Sequence, residues 1–220
     1  MFLACIEQSL THRFKGCSMK TIAIICEGKT EHNYIKALDS YVWDEGYENI
    51  TLIPINIEGC AANNYLSKIH DCFTKKLRYK VDYIFIWLDK DIFVRANKNV
   101  NIVVKDILAK VKNAGANKNI QTIVIFNTMN GEDMMMLHEN ENIAKQWHEI
   151  MKTENHFINP LVAKDYELLV KLIKSQYKKN QKITIDSKNL QQFQVNNNNR
   201  EIAMQSDISK LIELVLSEKN

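Results

Sequence analysis

Residues 20–31 read KTIAIICEGKTE and residues 82–91 read DYIFIWLDKD. In both, an unbroken apolar, β-branched run stops at a carboxylate. Runs of this kind, with no polar alternation, mark strands buried on both faces, as in a parallel sheet covered by helices. Two further runs, Leu52–Ile57 and Ile120–Phe126, have the same character. Helical stripes separate them. Tyr34, Ile35, Leu38, Tyr41 and Val42 align within Thr30–Trp43, with Thr30 as the expected N-cap. A helix capped by Asn63 or Asn64 runs to about Tyr79, and Val100–Ala114 forms another that Gly115 stops. Strand–helix alternation predicts an α/β fold of about four mainly parallel strands flanked by helices. Right-handed crossovers then bring every strand's C-terminal end to one edge, where open α/β sheets carry their sites.

Beyond the fourth strand the pattern is helical, over about Glu132–Met151, Leu161–Lys179 and Ser206–Ser217. Gln191–Arg200 (QQFQVNNNNR) reads as a polar loop. The expected organisation is an N-terminal extension (1–19), an α/β catalytic core (20–150) and a helical C-terminal extension packed on that core (151–220). Met19, directly before the first strand, is a plausible natural start; the alternative is that residues 1–19 form a short N-terminal helix packed on the domain.

The chain has 220 residues, 45% of them apolar and 25% charged, which excludes wholesale disorder and fibrous repeats. No apolar run reaches the roughly 20 residues needed to cross a bilayer, so no membrane association is expected. The formal charge of 29 − 26 = +3 neither requires nor excludes a nucleic-acid partner. Five cysteines without a CxxC pair fit reduced thiols and a cytoplasmic location.

Three strand ends carry acids: Glu27-Gly28-Lys29-Thr30-Glu31, Asp89-Lys90-Asp91, and Asn127 to Asp133 with Glu132. Carboxylates gathered at one edge repel unless a cation neutralises them, and hard oxygen donors suit Mg²⁺ or Mn²⁺. A P-loop does not explain Gly28-Lys29-Thr30, because Ala23 stands where a Walker A loop needs its first glycine. Gly28 is expected to make a tight turn with little bulk beside the site. Lys29 and Lys90 flank the acids as candidate phosphate contacts. Farther along, Lys174, Tyr177 and Lys178 combine positive charge with a stacking ring, as a nucleic-acid surface requires.

ICEGKTEHNY at Ile25–Tyr34 and IFIWLDKD at Ile84–Asp91 resemble the RloB-like branch of Toprim proteins, related to OLD-type Toprim nucleases. There a strand ends in CEGxxTE followed by an aromatic, and a later strand ends in DxD. A third element of that family sets a Glu six residues before a His, a spacing that Glu132 and His138 keep. Asn127-Thr128-Met129-Asn130-Gly131 departs from the small-Asn-Pro stretch and the aromatic expected before that Glu. The resemblance spans about residues 20–140. It implies a Toprim-like Rossmannoid core and a Mg²⁺-dependent (or Mn²⁺-dependent) nuclease acting on DNA or RNA, in prokaryotic defence against foreign DNA. Asp89 and Asp91 would ligate the metal, Glu27 would ligate or serve as general acid/base, Glu132 would serve a second ion, and His138 would contact phosphate or metal. An ATPase would be supplied in trans. The alternative is a Toprim-derived effector subunit that docks to such a partner through Leu161–Asn220. Whether the chain forms a homo-oligomer is left open.

Overall fold

In the computed structural model, residues 19–118, 120–127, 131–153, 185–202 and 205–218 are described, with the backbone alone for 131–133. The four expected strands are β1 (Lys20–Cys26), β2 (Ile50–Asn56), β3 (Tyr83–Asp89) and β4 (Thr122–Asn127). They form one parallel sheet in the order β2-β1-β3-β4. β1 and β3 are central, and their registers pair Ile24 with Phe85 and Cys26 with Trp87. Ile22–Cys26 and Ile84–Leu88 are wholly buried, which is why neither run tolerates polar alternation.

The crossovers decide which helix covers which face. From β1 the chain moves outward to β2, then returns past β1 to β3 and on to β4. Right-handed connections in opposite directions put helices on opposite faces. Accordingly α1 (Lys29–Asp44) packs on the face carrying Ile22, Ile24, Phe85 and Trp87. α2 (Tyr65–Asp71, followed by a π-turn over Cys72–Lys76), the short α3 (Asp91–Arg95) and α4 (Val100–Val111) cover the face carrying Ala23, Ile25, Ile84, Ile86 and Leu88.

This topology supplies no crossover helix over β3 and β4 on the α1 side. The helices after β4 fill the space: α5 (Gly131–Met136), α6 (Glu141–Thr153), α7 (Ser187–Asn197) and α8 (Ser209–Leu216). Trp147, Phe193, Leu211 and Ile212 share one apolar cluster with Phe85, Trp87 and Ile125. The C-terminal helices therefore complete the core. Residues 206–207 also cover the outer edge of β4. Ser206 forms an antiparallel bridge with Asn127, and Asp207 N–H donates to Phe126 O at 2.9 Å.

Several local expectations are corrected. The segment Gln191–Arg200 is mostly helix, not loop. α7 is capped by Asp186, whose Oδ1 accepts from Asn189 N–H at 2.8 Å, and it buries Leu190 and Phe193. Its asparagine Asn196 is inside, donating to Leu137 O and Glu139 O. The single helix expected over Glu132–Met151 is two, because Asn140 Oδ1 accepts from Ile143 N–H and starts α6 afresh. α1 begins at Lys29, one turn-position before the expected cap Thr30, with Gly28 as N-cap. α4 ends at Val111, and Gly115 sits beyond it at φ +64°, where a Cβ would lie 2.3 Å from Phe73 O. The helix expected over Leu161–Lys179 lies outside the described residues. No described helix is long and apolar enough to cross a membrane.

Candidate metal centre

β1 and β3 are neighbours whose outgoing connections diverge to opposite sides of the sheet. Between their C-terminal ends lies the crevice in which open α/β sheets bind ligands. Glu27 follows β1 directly and Asp89 ends β3, so the strand order places both acids there. Glu27 Oε2 accepts from the Asp89 backbone N–H at 2.9 Å. The Glu27 backbone is itself fixed, its N–H donating to Trp87 O and its carbonyl accepting from Gly59 N–H.

Two more carboxylates join them. Asp91 opens α3, where Arg95 one turn later pairs with its Oδ2 at 2.6 Å. Its other oxygen, Oδ1, is buried and has no hydrogen-bond partner among the described residues. Glu31, 3% exposed, reaches back to accept from Gly28 N–H at 3.0 Å. Gly28 has an extended backbone, so the tight-turn expectation is corrected. Its lack of a side chain matters because a Cβ would press on Glu31 Oε2 at 3.2 Å.

Crowding shows in the acidities. Burial, together with the charge of Asp91, pushes Glu27 up from 4.5 to about 7, against the opposing hydrogen bonds from Asp89 N–H and from Cys60. Burial and the charges of Glu31 and Glu27 push Asp89 well above the usual carboxylate range, while the Asn127 amide opposes. Burial raises Asp91, and the Arg95 guanidinium pulls against it. Asp89 is held by a short chain of polar groups. Asn127 Nδ2 donates to Asp89 Oδ1 at 2.9 Å, and Asn127 Oδ1 accepts from Trp87 Nε1 at 3.0 Å and from Ser206 Oγ at 2.7 Å.

Glu27 and Asp89 thus stand at neighbouring strand ends, and the charge of Asp91 bears on both. Among the described residues, no three acidic, His or Cys side chains already stand in a ligating arrangement. The donor set nevertheless fits a hard cation: it is all oxygen, mutually repelling, and includes the unpartnered buried Oδ1 of Asp91. Lys29 is exposed on the first turn of α1, and Lys90 follows Asp89 half-buried at the end of β3. The backbone of Glu132 lies in α5, and its side chain is not described. Lys174, Tyr177 and Lys178 lie outside the described residues.

His138 takes a different place from the one expected. Its Nδ1 lies 3.1 Å from Asn189 O, which can only accept, so Nδ1 carries the proton and Nε2 accepts from Tyr34 OH at 3.0 Å. The ring stacks on Phe193, and burial holds its pKa down at about 4. With both nitrogens committed, a neutral His138 ties α1 to α7, and the phosphate-contact role expected of it is withdrawn.

Two residues of the site, Arg95 and Cys60, carry no role in the sequence reading, and two more, Glu31 and Asn127, stand in its strand-end stretches without one. Arg95 is legible as an i, i+4 partner of Asp91 only once α3 is known to be helical. Glu31 is legible as the third residue of α1, three after the cap Gly28. Asn127 stands opposite Asp89 in the β3–β4 register. Cys60, in the loop after β2, carries no local signal. No family model, curated protein or solved structure matches the chain.

Proposed function

We propose that this protein is a divalent-metal-dependent phosphodiesterase of the RloB-like Toprim kind, cutting DNA or RNA, and that Glu27, Asp89 and Asp91 hold the ion. One observation carries the reading: carboxylates just after β1, at the end of β3 and at the start of α3 gather at the switch point of a parallel sheet, where Glu27 Oε2 accepts from Asp89 N–H and the charge of Asp91 bears on both Glu27 and Asp89. A hard dication bound there supplies Lewis-acid stabilisation of the charge that builds on a phosphodiester under attack.

The chain's own groups do the rest. Asn127 fixes one oxygen of Asp89, and Arg95 fixes one oxygen of Asp91, so each presents its other oxygen in a defined direction. Glu27 serves in one of two ways: as a ligand of the ion or, standing beside the ion's bound water, as the group that accepts a proton from the attacking water and returns it to the leaving oxygen. Lys29 and Lys90 offer positive charge to the flanking phosphates. Glu132 is a candidate for a second ion. An ATPase partner and a role in defence belong to the same proposal through the family resemblance.

Purified protein with Mg²⁺ or Mn²⁺ is expected to cleave single-stranded or duplex oligonucleotides, and Glu27→Gln and Asp89→Asn are expected to abolish cleavage. Calorimetric titration with Mn²⁺ should show binding to the parent and much weaker binding to Asp89→Asn. Variants that cut and bind like the parent would remove the site assignment.

A further inference from the structure

A second cavity adjoins the acidic cluster. A cleft of about 480 Å³ runs along the outer edge of β4, between the start of α4 and the end of α7. Asn101 and Val104 line it from α4, Val124 from β4 and Asn198 from just after α7, and Lys90 and Ser206 also contribute. Its volume falls in the range of sites that take a small organic ligand. It shares a wall with the carboxylates: Ser206 Oγ donates to Asn127 Oδ1, and Asn127 Nδ2 donates to Asp89 Oδ1.

The floor of the cleft presents a hydrogen-bonding edge. In a strand, a residue's N–H and C=O point to the same side, and the side alternates along the chain. Asn127 O faces β3, where it accepts from Lys90 N–H, and Gln121 O does the same with Ile84 N–H. Phe126 faces outward, its C=O accepting from Asp207 N–H and its N–H donating to Asp207 Oδ2. Val124, two residues earlier, therefore also points its N–H and C=O outward, into the cleft, and there they have no partner among the described residues. Asn101 and Asn198 line the same cleft, and Val104 and Val124 supply apolar surface.

A ligand with adjacent donor and acceptor atoms on one planar edge, suited to a mainly polar cleft with valines in its lining beside the proposed phosphodiester-cutting centre, is a nucleobase. We infer that this cleft receives one unpaired base of a single-stranded nucleic acid, held at its Watson–Crick edge by the Val124 backbone. A base in a duplex has that edge occupied and is refused. The inference rests on the nuclease reading and specifies the substrate class of that same site.

The test is fluorescence polarisation in EDTA, where no metal-dependent cleavage can occur, using a short labelled mixed-sequence oligonucleotide as a single strand and as its duplex. The single strand is expected to bind at least about tenfold more tightly. Val104→Phe, which fills the cleft, should weaken single-strand binding by about tenfold and leave duplex binding unchanged. Asn198→Ala, on an exposed position that leaves folding intact, should weaken it by about threefold. Equal affinity for the two forms, or parent-like binding by both variants with parent-like melting curves, would overturn the inference. The two proposals separate cleanly. Cleft-dependent single-strand binding without cleavage in Mg²⁺ would uphold the cleft and remove the nuclease. Cleavage of duplex and single strand alike, unaffected by the cleft variants, would do the reverse.

Discussion

Raising the pH from 5 to 8 without divalent ions is expected to destabilise the protein through Glu27. Its carboxyl is lifted from 4.5 to about 7 in the fold, chiefly by burial. Below pH 4.5 both folded and unfolded chains hold the proton, and the group contributes no pH dependence. Between 4.5 and about 7 the folded chain keeps a proton that the unfolded chain has released, so stability falls as pH rises. Above about 7 both are ionised and the loss is complete. Each pH unit in the interval costs about 1.4 kcal/mol, so the fall between pH 5 and 8 is about 3 kcal/mol. Urea unfolding followed by tryptophan fluorescence in EDTA, at both pH values, measures it. The Glu27→Gln variant, which has no proton to lose at that position, should lack this part of the fall. At pH 8, Mg²⁺ at a hundred times its Kd should restore about 3 kcal/mol to the parent and far less to the variant. A parent whose stability holds or rises between pH 5 and 8 relative to Glu27→Gln would refute the picture of a crowded, desolvated carboxylate.

Gly115→Ala should cost at least about 2 kcal/mol in denaturant unfolding, because the new Cβ meets Phe73 O at 2.3 Å and the backbone sits at φ +64°; a cost below about 0.5 kcal/mol would contradict that geometry. Asn127→Ala strips the acceptor from the buried Trp87 indole and the donor from Asp89, and should cost about 2–3 kcal/mol while abolishing cleavage; a stable, active variant would dismiss Asn127 as an organiser of Asp89. His138→Phe keeps the ring contact with Phe193 but leaves Tyr34 OH and Asn189 O without their partner, so unfolding should come about 1–3 kcal/mol sooner. Cleavage per folded molecule should change little, and a large fall in turnover with unchanged stability would return His138 to the active site.

The sheet was legible because its strands are apolar on both faces, a pattern that turns and helix stripes cannot imitate. Each strand was found to within two residues. The convergence of Glu27 and Asp89 was legible only in outline. That both lie at strand ends follows from the local pattern, but that β1 and β3 are neighbours is a matter of strand order, which no local pattern encodes. α7 went unread because NNNN has the composition of a loop; Leu190 and Phe193 fix it as a helix only when there is a sheet for them to cover, and Asn196 is tolerated inside only because Leu137 and Glu139 offer their carbonyls. His138 was misjudged for a related reason. A spacing from Glu132 says nothing of Tyr34 and Asn189, 104 and 51 residues away, which occupy its ring.

Helices α7 and α8 lie over Phe85, Trp87 and Ile125, which gives the order of synthesis a cost. When β4 has left the ribosome all four strands exist, yet a broad oily face stays open to water until the residues up to 216 have followed. During that interval the nascent chain is a target for holding chaperones and for self-association. A ribosome stalled just short of α8 would release a sticky fragment in place of a smaller folded protein.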